Sequence, residues 1–184
     1  MSKRQVQIVV LSEDRAQEVL TRRYLEAVGY DLRKIDFVTA PRGGGSGEQF
    51  VRTQYPHEVA AYRQRNPQYW RLVVLIDADV STVAQRDAEL GLMLLAHQLP
   101  TRTPGEGIVH LIPRRNIETW VHFLLDNAAD EEVDYKRIYH NQAENAYCRP
   151  ASQTLVAIVR ADPVATSLPS LDRGAEELRR SGLR

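Results

Sequence analysis

Acidic side chains recur where strand-like runs of this chain break off: Glu13 after QIVVLS, Asp77 and Asp79 in LVVLIDAD, and Glu118 just beyond HLIPRRNI. Carboxylates offer only oxygen, the donor set of hard divalent cations such as Mg2+ or Mn2+. An ion held there could polarise a phosphoryl oxygen and stabilise both an attacking hydroxide and a leaving oxygen. The Asp77-Ala-Asp79 spacing alone is not diagnostic, because phosphatases, glycosyltransferases, receiver domains and nucleases all place acids after a strand. A plain N-cap accounts for any one acid at the start of a helix. It does not account for acids at three strand ends. In an open parallel sheet those ends share one edge, so residues far apart in sequence can meet there.

The elements that must position these acids are readable from the periodicity. Gln5 to Leu11 is rich in β-branched residues, and Glu13 to Val28 carries apolar residues at helical spacing before Gly29, which predicts strand then helix. Ile35 to Thr39 predicts a second strand, followed by a glycine-rich loop from Pro41 to Gly47 and a helix from Glu48 to Asn66, broken or kinked at Pro56. Leu72 to Ile76 is a continuous apolar run, as a strand buried on both faces requires. A helix over Ser81 to Leu99, a fourth strand over Ile108 to Ile112 and a helix over Ile117 to Asp126 capped by Asn116 follow. Beyond the acidic turn Asp130 to Asp134, helical stretches are expected near Ala151 to Arg160 and Asp172 to Arg180. The alternation predicts an α/β fold with a parallel four-stranded sheet and right-handed crossovers over residues 1–130, plus a helical C-terminal appendage over 131–184 packed on it.

The chain of 184 residues has 24 Lys and Arg against 24 Asp and Glu, so its net charge supplies no general attraction to nucleic acid. The basic set is almost all arginine, the better bidentate partner of phosphate. Arg42, Arg114 and Arg115 fall in loops just past the second and fourth strands, on the edge that carries the acids, and are the candidates for phosphate contacts. The loop at Arg42 lacks the Gly-Lys-Ser/Thr ending of a phosphate-binding loop, so it predicts a connection beside the site rather than a nucleotide cradle. A single cysteine, Cys148, leaves no internal disulfide and suits a reducing compartment. The apolar run near the N-terminus is too short for a signal peptide or a membrane span, which predicts a soluble, cytoplasmic protein. None of the five histidines has zinc-ligand spacing.

Three of these segments together resemble Toprim-type domains, especially the small stand-alone and OLD-nuclease-like branches. VVLSEDRAQEVLTRRYL is similar to their first motif, with Glu13 and Glu18 at its two acidic positions; VVLIDAD resembles their Asp-x-Asp motif; and IPRRNIETWVHFLLD resembles a further segment in which an acid, here Glu118, stands two residues before Trp120. The likeness covers roughly residues 6 to 127, in the family's order. It implies Mg2+- or Mn2+-dependent cutting or rejoining of phosphodiesters, often beside an ATPase in anti-phage defence. Asp77, Asp79 and Glu13 would be catalytic and metal-binding, Glu18 a ligand to a second metal, and Glu118 a further ligand. No tyrosine is flanked by features of a topoisomerase nucleophile, so hydrolysis of nucleic acid, DNA in the first instance, is the expectation. Homo-oligomer formation is compatible with it. Asp14 replaces the glycine that usually follows the first acid; if that turn needs positive φ, the site geometry or the activity is altered.

Two other readings compete. One is a catalytically weak module of the same type that binds nucleic acid or docks on an ATPase. The other is a receiver-like domain with Asp77 as phosphoryl acceptor, disfavoured by chain length and by the lack of a lysine after the fourth strand.

Overall fold

The structure, a computed structural model, describes residues 6–184; Gln5, the expected start of the first strand, and the basic residues before it lie outside the described residues. The elements run β1 Gln7–Ser12, α1 Arg15–Ala27, a 3-10 turn Leu32–Lys34, β2 Ile35–Thr39, α2 Gly47–Arg63, β3 Trp70–Leu75, α3 Val83–Ala96, β4 Ile108–Leu111, α4 Ile117–Asp126, α5 Lys136–Tyr139, α6 Glu144–Arg160 and α7 Pro169–Arg180. The sheet is four-stranded and parallel throughout, in the order β2-β1-β3-β4. The expected α/β architecture is thus present.

Alternation along the strands splits the core in two. Ile8, Val10, Val73, Leu75, Val109 and Leu111 face α1, α4, α6 and α7, whereas Val9, Leu72, Val74 and Ile108 face α2 and α3. Both faces are covered, which is why β3 reads as an uninterrupted apolar run. The C-terminal helices complete one of these two cores: Leu155, Val159, Leu171, Ala175 and Leu178 share a cluster with β1 and α1. No helix among the described residues is long and apolar enough to cross a membrane.

Two helices differ from expectation at proline. Helix α2 runs through Pro56 without a break, and α6 begins six residues before Pro150 rather than after it. Each proline removes one ladder hydrogen bond. Burial of Val51, Tyr55 and Val59 on α2, and of Tyr147, Cys148 and Ala151 on α6, outweighs that local cost. Cys148 is fully buried, and its thiol is pushed up by that burial, which suits a packing role.

On the α2/α3 face a buried polar chain ties four elements together. Tyr55 Oη lies 2.9 Å from His110 Nε2, and His110 Nδ1 lies 2.6 Å from Asp87 Oδ1, while Arg173 pairs with Asp87 Oδ2 at 2.7 Å. Since the Asp87 carboxylate can only accept, Nδ1 carries the proton and Nε2 accepts from the tyrosine hydroxyl. Burial holds His110 below its ordinary 6.5; Asp87 opposes that shift and Arg102 adds to it, with Glu177 also facing the ring. A histidine lowered in the fold stabilises above its unfolded value and loses that contribution as pH falls below about 6.5. Relative to His110→Asn, which still donates to Asp87, the Tm of the protein should therefore drop as pH falls from about 6.5 toward 5. Superimposable curves for the two proteins would remove His110 from the pH dependence.

Candidate active site at the strand edge

Strand order β2-β1-β3-β4 makes the gap between β1 and β3 the point where the connections reverse direction, the place at which open α/β sheets leave a crevice. Glu13 leaves β1 on one side of that gap and Asp77 follows β3 on the other. They are joined directly: Glu13 Oε1 accepts the Asp77 backbone N–H at 2.7 Å. Gln17, fully buried in the first turn of α1, completes the unit by accepting the Glu13 N–H with Oε1 and donating from Nε2 to Asp77 Oδ1, both at 2.9 Å. Sequence reasoning missed Gln17. Its signal was a glutamine in the first turn of a helix whose inward positions are otherwise apolar.

Asp14 resolves the question raised by the absent glycine. Its φ of −148° and ψ of 177° are ordinary extended backbone, and its carboxylate caps α1 by accepting the Gln17 N–H at 2.9 Å. The turn after β1 needs no positive φ, so the departure from the glycine pattern costs nothing here. Close approach is required instead at Gly47, where α2 starts: a Cβ there would stand 2.5 Å from the Glu13 carbonyl oxygen. Only the end of the glycine-rich loop is therefore packed against Glu13, while residues 41–46 stay exposed.

The acids are buried in an environment that resists their charge. Asp77 is 1% exposed, and its Oδ2 makes no hydrogen bond; Glu118 is 8% exposed, with Oε2 equally unpartnered. Burial, then Glu13 and Asp14, push Asp77 well above the usual carboxylate range. Burial raises Glu13 to about 7, opposed by the Asp77 N–H and reinforced by Asp79 and Asp14. Glu118 reaches about 7 through burial and then Asp14. The cation among them is Lys136, whose Nζ lies 3.8 Å from Asp77 Oδ2 and whose charge is favoured by Asp77, Glu118, Asp14 and Asp79 against the effect of burial. No lysine stands directly after β4, where Ile112-Pro113-Arg114-Arg115 follows; instead the chain past α4 folds back and delivers one from α5.

The other candidates separate. Glu18 does not turn to Asp77; its oxygens take Arg15, Arg22 at 3.0 Å and the Thr39 hydroxyl at 2.9 Å, and these partners hold it below the usual range despite burial. Asp79 sits at φ 51°, facing Arg115 at φ 65° across an isolated antiparallel bridge in which the Asp79 N–H donates to the Arg115 carbonyl at 3.0 Å. Two non-glycine residues in the left-handed region, opposite each other at a strand end, are a cost the surrounding structure must hold in place. Arg114 does this: its guanidinium donates to the carbonyls of Asp79 and Ser81 at 2.7 and 2.8 Å and pairs with Glu132. It is a clamp on the turn. Arg115 lies near Asp134, whose carboxyl it helps to lower after the Lys136 N–H and Asn116. Arg42 is 81% exposed and reaches Glu144 at 3.0 Å.

A cleft of about 710 Å³ lies at this edge, lined by Glu13, Glu118 and Lys136 and by Arg42, Gly43 and Gly45 of the loop; Asp77 and Asp79 do not line it. No family model, curated protein or solved structure matches this chain. The chemistry therefore rests on the site alone. Among the described residues no group of three or more His, Cys, Asp or Glu side chains stands ready as placed to hold a metal ion. The donors nonetheless suit one in kind, since Asp77 Oδ2 and Glu118 Oε2 are buried oxygens without a hydrogen-bond partner.

Proposed function

We propose that the chain is a Toprim-like, Mg2+- or Mn2+-dependent nuclease that hydrolyses phosphodiester bonds of nucleic acid at this cleft, in the cytoplasm and beside an ATPase partner. The observation that carries the reading is the Glu13–Asp77 unit across the β1/β3 switch, with Asp77 Oδ2 buried and unpartnered. Asp77 would hold the ion, and Asp79, Glu13 and Glu118 are the further oxygens this reading assigns to it. The bound ion would supply Lewis acidity toward the phosphoryl and leaving oxygens. Glu13, raised to about 7, is suited to take a proton from water near neutral pH, and Gln17 and the Asp77 N–H orient it. Glu18, with both oxygens engaged, fits better as a residue that positions the β2 end than as a ligand.

Lys136 supplies a reason for the second reading, a catalytically weak binding module, because it already balances part of the acidic charge. Incubating the full chain with single-stranded and duplex DNA and RNA, with Mn2+, with Mg2+ and with EDTA, separates the two. Metal-dependent cleavage is expected, rising with pH through about 7 as Glu13 ionises. Binding without cleavage under every condition would establish the module.

The arginines predict different outcomes. Arg42→Ala should flatten the salt dependence of nucleic-acid binding by about 0.9, the share of a single phosphate. Arg114→Ala should instead lower Tm by releasing the turn at Asp79, with little change in that slope. An unchanged slope in Arg42→Ala would put the nucleic acid elsewhere.

A further inference from the structure

The segment that brings Lys136 to the site is anchored at nearly every residue. Asp130 donates its N–H to Tyr135 Oη at 3.0 Å, Glu131 Oε1 accepts the Ser170 N–H at 2.9 Å, and Glu132 pairs with Arg114 at 2.8 Å. Asp134 Oδ1 accepts from Asn116 Nδ2 at 2.8 Å and from the Lys136 N–H at 2.9 Å. The Tyr135 ring stacks on His122 with centroids 4.3 Å apart. A run of four acids that reads as a solvated turn is thus a strap fixed to α4, α7 and the β4–α4 loop. Its last residue is the lysine whose ammonium lies beside the one Asp77 oxygen that has no hydrogen bond.

We propose that Lys136 is the resident counter-ion of the Asp77 carboxylate, and that a divalent cation enters the strand-edge site by replacing its ammonium. The second half rests on reading those acids as a metal site. At 3.8 Å the ammonium is an ion-pair partner without a hydrogen bond, a contact easily given up. Its side chain is 47% exposed and lines the cleft, so withdrawal leads to water. The residue type matters as well. This chain uses arginine for all but three of its 24 basic positions, and a guanidinium fork would grip the carboxylate bidentately, whereas a compact ammonium on a flexible stem can leave.

The test uses the full chain at pH 8. In EDTA, Lys136→Met should lower Tm in the wild-type background and leave it unchanged in an Asp77→Asn background, while Lys136→Arg keeps the wild-type Tm. Equal losses in both backgrounds would overturn the counter-ion. In Mn2+ titrations by calorimetry, Lys136→Met should bind about tenfold more tightly than wild type, the factor that corresponds to 1.4 kcal/mol; equal or weaker binding overturns the replacement. With only three lysines in the chain, brief amine acylation followed by mass spectrometry reads Lys136 cleanly. Its modification should speed up at saturating Mn2+, and an unchanged rate in a protein that binds the ion also overturns replacement. If neither protein takes up Mn2+, the metal reading and the replacement fall together, and the EDTA comparison still decides the counter-ion.

Discussion

Asp77→Asn is expected to raise the Tm of the metal-free protein above neutral pH and at the same time to reduce metal-stimulated cleavage by more than about 100-fold, beyond what loss of a residue that merely supports a ligand costs. The two effects have one cause. Asp77 is fully buried beside Glu13, with an oxygen that nothing in the chain hydrogen-bonds and an ammonium at 3.8 Å that offsets only part of the cost, so its charge stays unfavourable until a divalent cation meets it. Asparagine retains an oxygen for Gln17 Nε2 and the backbone N–H for Glu13, which makes it a cleaner test than alanine. Glu13→Gln and Glu13→Ala should lose activity likewise. The pH dependence follows with its sign. Glu13 is raised from 4.5 to about 7, so its contribution is present below about 4.5 and is lost as pH rises toward 7 and beyond. Relative to wild type, Glu13→Gln should gain stability across that window, by about 3 kcal/mol at most for a shift of that size. Mn2+ should erase the difference by stabilising wild type alone. Thermal melts from pH 4.5 to 8 with and without Mn2+ decide it. A variant that is inactive and also strongly destabilised at pH 8 would make Asp77 a structural residue.

Trp120→Ala should produce the largest loss of stability, about 3–5 kcal/mol. Trp120 is 1% exposed, donates from Nε1 to Ser170 Oγ at 2.8 Å, and lies so close to Gly174 that any Cβ there would overlap its ring. It is the post on which α7 sits. For a domain of this size the loss corresponds to a fall in Tm of roughly 6–20 °C. Gly174→Ala should cost about 1–3 kcal/mol by overpacking the same contact. Denaturant titrations of both variants check this. A change within about 0.5 kcal/mol for Trp120→Ala, the range of ordinary surface substitutions, would mean that α7 does not depend on this contact.

The period-two and period-3.6 patterns determine the elements of the α/β core, because a strand or helix buried against a sheet has to carry its apolar residues at that spacing. Ile35–Thr39 and Ile117–Asp126 emerge with the expected ends, the second because Asn116 caps it and Asn127 closes it in the left-handed region. The placement of acids at strand ends is legible for the same reason: a parallel sheet puts those ends on one edge whatever the crossovers do. Helices that contain proline are not legible in this way, since Pro56 and Pro150 are decided by burial of the flanking turns rather than by local backbone preference. Tertiary structure alone decided the partners. Glu18 and Arg114 have the residue types of a site, yet arginine and threonine neighbours engage the first and backbone carbonyls the second. Gln17 and Lys136 carry no motif and stand against Asp77 because α1 and the 130–136 strap bring them there. Spacing along the chain determines which residues share an element face or a sheet edge. Contacts between Gln17 and Asp77, or between Asp77 and the distant Lys136, depend on how separate elements pack, and no local pattern encodes that.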